Sequence, residues 1–151
     1  MHFDHIGIVV AGLSLGRSIL EVGYGVNCWT DEYSDAINDV WVQFGRDTMG
    51  ICYELIAPLS STSPVLRAQR QGTNITNHLA FKVQSLPDQR EKLILHGFHP
   101  LADPKPAVAY GGAQIQFFLS PINSLIELVE APSHRHLYRD IAVQRSTPGT
   151  E

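Results

Sequence analysis

Two histidines and two glutamates in this chain have the residue types and the spacing of a duplicated metal site. His5 precedes Glu54 by 49 positions, and His78 precedes Glu127 by the same interval. The second pair is therefore the first pair displaced by 73 positions. Imidazole nitrogens and carboxylate oxygens bind Co²⁺, Ni²⁺, Zn²⁺, Mn²⁺ or Fe²⁺. The spacing predicts one divalent-metal site that all four side chains share.

The chemistry of such a site can be stated before its fold is known. An octahedral ion with four protein ligands keeps two positions for water or for adjacent substrate oxygens. Positive charge next to a carbonyl oxygen stabilises the enolate that forms when the α proton leaves. Glu127 and Glu54 approach from opposite halves, so one can remove the proton and the other can return it to the opposite face. We expect a metal-dependent isomerase or epimerase with these two catalytic carboxylates.

The sequence around each pair repeats as well. Residues 3–10 read FDHIGIVV and residues 76–83 read TNHLAFKV, while residues 53–56 read YELI and residues 126–129 read IELV. Each His thus opens an apolar run typical of a β-strand, and each Glu lies inside another such run. Two unrelated pairs would not keep the residue types, the strand patterns and the interval together. The chain therefore contains an internal duplication.

The elements that must position these residues follow the same order in both halves. Residues 1–59 and residues 74–132 each read as a strand, a helix and three strands, and residues 60–73 form a linker. Alternation along a strand puts His5 and His78 on the face opposite the helices. We expect an α+β fold in one domain, with two tandem βαβββ modules that form a curved, cup-shaped mixed β-sheet with the helices outside.

Local signals refine the ends of these elements. Ser63 is predicted to cap a short linker helix with Pro64 at its first position, and Ser85 is predicted to cap the helix of the second module. Residues 133–151 form a C-terminal tail, in which residues 134–139 are compatible with a terminal helix. The tail beyond residue 145 is expected to be disordered.

Composition excludes several classes of partner. Eleven Lys and Arg against fifteen Asp and Glu give a net charge of −4, without a basic run, which argues against nucleic acid and anionic membranes. No apolar stretch reaches the roughly 18 residues that span a bilayer. We therefore expect a cytoplasmic protein. Cys28 and Cys52 lie in no metal-binding or redox motif, and we expect buried free thiols.

These motifs together resemble the vicinal oxygen chelate superfamily, which includes glyoxalase I, extradiol dioxygenases and methylmalonyl-CoA epimerase. The resemblance covers about residues 3–132 and is greatest to the epimerases, through ELIAPL at residues 54–59, the NHLAFKV strand and LIELVE at residues 125–130. It implies a divalent metal ion on His5, Glu54, His78 and Glu127. It also implies a small oxo-acid or thioester substrate and a homodimer, whose halves pair within or between chains.

Departures from the epimerase pattern leave the substrate open. Residues 120–122 read Ser-Pro-Ile where epimerases usually have His-Pro-Lys, and Asn123-Ser124 shortens the Gly-rich turn that follows. Both changes lie where a large carrier is expected, which argues against coenzyme A. Asp39 lies where epimerases can carry an additional acid, although a solvated or turn-capping role is favoured.

Other functions of the superfamily remain as alternatives. A glyoxalase I-like lyase uses the same four ligand types on a hemithioacetal. A metal-free small-molecule binding protein of the resistance type would not need the ligands. A dioxygenase is less favoured, because no acid-base histidine can be placed near the metal.

The remaining polar and aromatic residues have simpler interpretations. We expect exposed side chains for three further histidines and for two cations that could otherwise meet an anionic substrate, namely His2, His134, His136, Lys82 and Arg67. The aromatic side chains are expected mostly in the core, namely Trp29, Trp41, Phe117 and Phe118, although any one of them can line the cavity.

Overall fold

The computed structural model describes residues 1–72 and 76–140, and within these ranges the chain forms one open mixed β-sheet with helices on its outer face. The elements of the first half and the linker are β1 (His2–Val9), α1 (Leu13–Gly23), β2 (Val26–Trp29), β3 (Tyr33–Asp35), β4 (Val40–Asp47), β5 (Cys52–Pro58) and α2 (Leu66–Gln71). Those of the second half and the tail are β6 (Thr76–Lys82), α3 (Leu86–Leu95), β7 (His99–Pro100), β8 (Lys105–Ala107), a 3₁₀ turn (Val108–Tyr110), β9 (Ala113–Leu119), β10 (Leu125–Val129) and β11 (Arg139–Asp140).

The strand order shows how the two halves join. The sheet runs β11-β2-β4-β5-β1-β6-β10-β9-β7, with β3 on β4 and β8 on β9. β1 and β6 pair antiparallel at the centre, and each pairs in parallel with the last strand of its own half, β5 or β10. The predicted α+β fold with a curved mixed sheet is confirmed, and β3 and β8 are short additions to the βαβββ order.

The core has three parts that follow the layers of the fold. Leu13 and Leu20 pack α1 against the outer face of the first half, and Leu86 and Leu93 pack α3 against the second half. A third cluster lies on the inner face of the cup, between the two halves. The inner cluster is built from Val9, Val40, Val42, Phe44, Cys52, Ile56, Ala107, Ala109, Tyr110, Ile115 and Val129. Because this face carries the functional residues, its apolar side chains surround them.

One local prediction is wrong for an identifiable reason. α2 begins at Leu66 with Val65 at its N-cap, because Ser63 to Leu66 form a turn in which the Leu66 amide donates to the Ser63 carbonyl. The Ser63 hydroxyl is buried without a hydrogen bond and does not cap the helix. Of the aromatic residues expected mostly in the core, Trp29 and Phe118 are buried, whereas Trp41 on β4 is 37% exposed. By contrast, Ser85 caps α3 as predicted, accepting from the Asp88 amide.

The predicted terminal helix is also wrong. The tail turns at residues 132–133, has no helix over residues 134–139 and ends in β11, which pairs with β2. The Tyr138 hydroxyl donates to Cys52 Sγ at 2.9 Å, and the His136 ring stacks on Phe44 at 3.9 Å between ring centroids. Contacts with the sheet on alternate residues favour an extended chain over a helix. Residues 141–151, including those expected to be disordered, lie outside the described residues.

Within the described residues, no helix is long and apolar enough to cross a membrane. Both cysteines are free and buried, as predicted.

The buried sheet residues should carry most of the stability. Leu128 on β10 is completely buried, whereas Leu95 at the end of α3 is 82% exposed. We expect Leu128→Ala to lower the free energy of unfolding by about 2–5 kcal/mol, because it leaves a cavity beneath α3. Leu95→Ala should change it by less than about 0.5 kcal/mol. Urea denaturation of both variants measures the difference, and equal losses would contradict the layer assignment.

Candidate metal centre

Strand register brings the four predicted ligands to one place at the centre of the cup. Gly7 on β1 pairs with Glu54 on β5 and with His78 on β6. Ala80 on β6 pairs with His5 on β1 and with Glu127 on β10. Since paired residues share a face of the sheet, all four side chains lie on the inner face. Each half contributes one His and one Glu.

The donor atoms of these four residues converge. One ligand atom from each residue lies within 4.8 Å of the others. His5 Nε2 is 3.2 Å from Glu54 Oε2 and 3.4 Å from Glu127 Oε2. His78 Nε2 is 3.4 Å and 3.2 Å from the same two oxygens. The arrangement is nearly symmetric about an axis between the halves, as the repeat requires.

Hydrogen bonds on the far side of each imidazole fix which nitrogen faces the centre. His5 Nδ1 lies 3.0 Å from Asp4 Oδ2, and His78 Nδ1 lies 2.9 Å from Asn77 Oδ1. A carboxylate and an amide oxygen only accept, so each Nδ1 carries the hydrogen. In the neutral imidazole the lone pair is then on Nε2, which points to the centre. This is the tautomer that a metal ion requires of a histidine ligand.

The donor set fits a cation. The two Nε2 atoms are 3.1 Å apart. Glu127 Oε2 is buried and makes no hydrogen bond with any residue that the structure describes. Two carboxylates and two inward-facing imidazole nitrogens in an apolar cup require positive charge between them. A divalent ion that prefers mixed nitrogen and oxygen ligands would satisfy all four atoms at once.

The shifts in pKa agree with this demand for positive charge. Burial by itself lowers the pKa of His5, but the charge of Glu54 and the hydrogen bond to Asp4 raise it well above its usual value. Burial likewise opposes the rise in the pKa of His78, which the nearby carboxylates of Glu127 and Glu54 cause. Burial would raise the pKa of Glu54, yet the charge and hydrogen bond of His5 lower it to about 2. Without a metal ion, protons supply the positive charge, and metal binding would displace them.

Small and aromatic residues shape the space around the imidazoles, and they also obey the 73-residue offset. A Cβ atom on Gly7 would lie 2.3 Å from Cε1 of His78, so only glycine leaves room for that ring. Its repeat equivalent beside His5 is Ala80, which is completely buried. Phe44 packs edge-on against His5 at 5.2 Å, and its equivalent Phe117 packs against His78 at 5.1 Å. The duplication therefore extends to the walls of the site.

Sequence reasoning missed the residues that support the histidines, although the offset could have found one pair. Asp4 and Asn77 immediately precede the two histidines and are themselves 73 positions apart. The β1–β6 register slips between Phe3 and His5 and again between Gly7 and Ile8, so that Asp4 and Asn77 are each the extra residue of a β-bulge. Each bulge turns a side chain that would have faced outward back to the imidazole.

The remaining support comes from residues that carried no signal in the sequence. Tyr110 donates to Asp4 Oδ2 at 2.5 Å, and His136 Nε2 lies 3.3 Å from the same oxygen. Lys82 Nζ lies 3.0 Å from Asp4 Oδ1. Burial favours the neutral acid, but the hydrogen bonds from His136 and His5 and the charge of His5 lower the pKa of Asp4 far below its usual value. The predictions of exposed His136 and exposed Lys82 are wrong, because both are held by this carboxylate.

A cavity of about 450 Å³ opens onto one side of the centre. Glu54, His78 and Glu127 line this cavity. His5 is completely buried and does not line it. Most of the other lining side chains are apolar, including Val42, Ile56, Val65, Ile115, Phe117 and Leu125. Substrate oxygens could therefore approach the centre while an apolar group packs against the walls.

Other candidate residues lie outside the centre. Asp39 accepts hydrogen bonds from Ser60 and Thr62 and adopts a φ of 55°, which is the turn-capping role favoured above. It does not line the cavity. Asp35 does, but its carboxylate accepts four hydrogen bonds, from the amides of residues 37, 38 and 108 and from the Asn38 side chain. Glu54 and Glu127 are thus the carboxylates at the centre that face the cavity.

The close approach of Gly7 to His78 gives a test of the geometry. Gly7→Ala should displace the His78 ring and cost about 1–3 kcal/mol of stability through overpacking. It should also weaken metal binding, because one of the four donors is moved. Gly12→Ala is a matched control, since its new Cβ would meet nothing within 4 Å. Calorimetry with Co²⁺ and thermal unfolding measure both effects, and unchanged Co²⁺ affinity in Gly7→Ala would contradict the role of His78.

No model of a known protein family and no curated protein matches the sequence. Solved structures do match. A hypothetical protein from Bacillus halodurans has a TM-score of 0.75 at 22% identity, covering 89% of this chain and 97% of that chain. Methylmalonyl-CoA epimerase from Mycobacterium tuberculosis has a TM-score of 0.68 at 21% identity, covering 85% and 86%.

A variant of the Streptomyces coelicolor methylmalonyl-CoA epimerase, in complex with 2-nitronate-propionyl-CoA, is similarly related. It has a TM-score of 0.69 at 22% identity and covers 85% of this chain and 93% of that chain. Identities this low establish the fold and not the reaction. The chain therefore has the fold of the methylmalonyl-CoA epimerases, and the predicted resemblance to these epimerases is confirmed at the level of the fold.

Proposed function

We propose that this protein is a divalent-metal-dependent isomerase or epimerase that moves a proton α to a carbonyl group. Its metal ligands are His5, Glu54, His78 and Glu127. The observation that carries the proposal is the convergence of four buried donor atoms, among them a Glu127 oxygen that has no hydrogen-bond donor. A buried site with this charge and this donor set is suited to a cation and to little else.

The carboxylates of the site would move the proton. A divalent ion bound there would supply positive charge for a carbonyl oxygen, which makes the adjacent carbon more acidic. Glu54 and Glu127 each direct Oε2 to the centre, which leaves Oε1 to take up or return a proton. Because the two residues come from opposite halves, they approach a bound substrate from opposite sides. Removal by one and return by the other inverts the α carbon.

The choice of these two bases is supported by the surroundings. Asp35 is fully hydrogen-bonded, and Asp39 lies away from the cavity. Glu54 and Glu127 both line the cavity beside the centre, where their carboxylates can reach a bound substrate. We infer that the ligands themselves act as bases.

The substrate is inferred to be a small oxo-acid or acyl thioester. The cavity has room for a short apolar chain beside the centre, and Lys105 at its wall offers a cation for a carboxylate. The structurally similar epimerases support the thioester, since one is in complex with methylmalonyl-CoA. In this chain, residues 120–124 form a tight turn closed by the Ser120 and Ser124 side chains, and none of them lines the cavity. The turn therefore adds no cation for the phosphates of coenzyme A.

The assembly remains a prediction. Modules 1–59 and 74–132 supply two ligands each, so we infer that they work as one domain. The arrangement within a single chain needs no exchange of modules between chains. The homodimer implied by the resemblance can be checked by light scattering.

The first experiment measures metal content in protein purified without an affinity tag or chelator. We expect about one divalent transition-metal ion per chain, and loss of that ion in His78→Ala, because three ligands hold it less tightly than four. Absence of metal in the wild type, with none taken up on titration, would overturn the proposal and favour the metal-free binding class.

The second experiment separates metal binding from proton transfer. Glu127→Gln keeps a ligand oxygen but removes the base, and should lower kcat by about 10²- to 10⁴-fold while some metal is retained. Glu130→Gln is the matched control, because Glu130 accepts from the Leu86 amide, away from the centre, and glutamine keeps that acceptor. Exchange of the α proton in D₂O, followed by NMR, is measured with methylmalonyl-CoA, a free 2-methyl-3-oxo acid and the hemithioacetal of methylglyoxal.

The substrates distinguish the remaining possibilities. Turnover of the hemithioacetal alone would reassign the protein to the glyoxalase I-like lyases. No exchange with any of the three substrates by metal-loaded protein would contradict the isomerase proposal.

A further inference from the structure

The C-terminal segment, defined here as residues 133–140, breaks the symmetry of the site. Tyr138 covers Cys52, and His136 covers Phe44, both on the inner face of the first half. The equivalent positions of the second half, 73 residues later, are Leu125 and Phe117, and these line the open cavity. One side of the duplicated centre is therefore closed by the segment, and the other side faces the substrate space.

The two histidines have different hydrogen-bond acceptors. On the closed side, His5 donates to a charged carboxylate, and on the open side, His78 donates to a neutral amide oxygen. His5 donates to the carboxylate of Asp4, whereas His78 donates to the amide of Asn77. Lys82 compensates the charge of Asp4 at 3.0 Å, and the residue 73 positions earlier is Val9. The charged pair Asp4 and Lys82 thus corresponds, under the 73-residue offset, to the uncharged residues Asn77 and Val9. The carboxylate makes His5 the stronger electron donor of the two imidazoles.

The C-terminal segment is part of this charged support. The His136 side chain is 5% exposed, and its Nε2 donates to Asp4 Oδ2. Its ring is fixed by the stack on Phe44, whose edge also packs against His5. Lys82 Nζ donates to the His134 carbonyl at 2.9 Å, which ties the counter-ion to the same segment. Asp4 thereby accepts from β1, from β6, from the 3₁₀ turn and from the segment.

Building on the proposed metal site, we propose that Asp4, held in place by His136 of the C-terminal segment, is a positioning residue that makes His5 the anchoring imidazole of the centre. His78, whose Nδ1 donates to the neutral amide oxygen of Asn77, is the imidazole that lines the cavity. The two halves of the duplicated site thus have different roles: the His5 half anchors the metal ion, and the His78 half faces the substrate.

The test is a titration of metal-free protein with Co²⁺ against a chelating dye. Asp4→Asn keeps the size of the side chain and removes its charge, and should raise the Kd for Co²⁺ by about 10- to 100-fold. It should also change the visible absorption spectrum of the bound Co²⁺, because the donor strength of His5 falls. Asp47→Asn is the matched control. Asp47 is another buried aspartate that accepts from a tyrosine, Tyr53, and it lies outside the centre.

A second variant tests the contribution of the segment. His136→Phe keeps an aromatic ring stacked on Phe44 and removes the hydrogen-bond donor to Asp4. Its Kd for Co²⁺ should therefore rise, by a smaller factor than in Asp4→Asn. Thermal unfolding of the metal-free variants separates lost metal affinity from lost stability. If Asp4→Asn does not fold, His136→Phe decides the question.

The outcomes separate this inference from the proposed function. Wild-type protein that binds no Co²⁺ overturns the metal site and this inference with it. Wild-type protein that binds Co²⁺, with an unchanged Kd and spectrum in the folded variant at Asp4 or His136, overturns the positioning role alone. A Kd for Asp47→Asn that rises as much as that for Asp4→Asn also overturns it.

Discussion

The antiparallel pairing of β1 with β6 is the constraint on which the rest of the structure depends. Each of these strands carries a histidine on its inner face, and each lies beside the strand that carries the glutamate of its own half. Joining them edge to edge converts two separate His-Glu pairs into one four-residue centre. Any other register would turn the histidines to the helix side or move them apart.

This pairing buries two carboxylates and two imidazole nitrogens close together. Burying these groups in apolar surroundings without a compensating positive charge would be unfavourable. The walls are aliphatic and aromatic, so the two carboxylates need positive charge close by. The Nδ1 hydrogen bonds commit both imidazoles to supplying lone pairs at the centre. The β-bulges that aim Asp4 and Asn77 therefore belong to the chemistry of the site as much as the ligands do. The bulges interrupt the regular pairing of β1 with β6, and in exchange the two side chains orient both imidazole rings.

Duplication gives a nearly symmetric centre, but the cavity opens on only one side of it within the described residues. The C-terminal segment lies over the first half, and the cavity opens beside His78. The positions 73 residues before this segment are residues 60–67 of the linker, where Ser63 and Val65 stand in place of His136 and Tyr138. Symmetry within the modules and asymmetry imposed from outside them together define where a substrate can approach.

The sequence alone was sufficient for the elements that depend on periodicity. His5, Glu54, His78 and Glu127 were found because strand alternation and a constant offset are properties of the linear chain. The cap of α3 at Ser85 was predictable for the same reason, since it depends on neighbours three residues apart. The α+β fold followed from the order of the strand and helix patterns.

Tertiary structure decided what depends on distant partners. His136 was expected on the surface and Lys82 in solvent, yet both meet Asp4 across the fold. The segment that was compatible with a helix contains no helix: its end pairs with the edge of β2 as β11, and the Tyr138 hydroxyl donates to Cys52. A sequence pattern records which groups a residue can satisfy, whereas only the assembled sheet determines which of those groups are within reach.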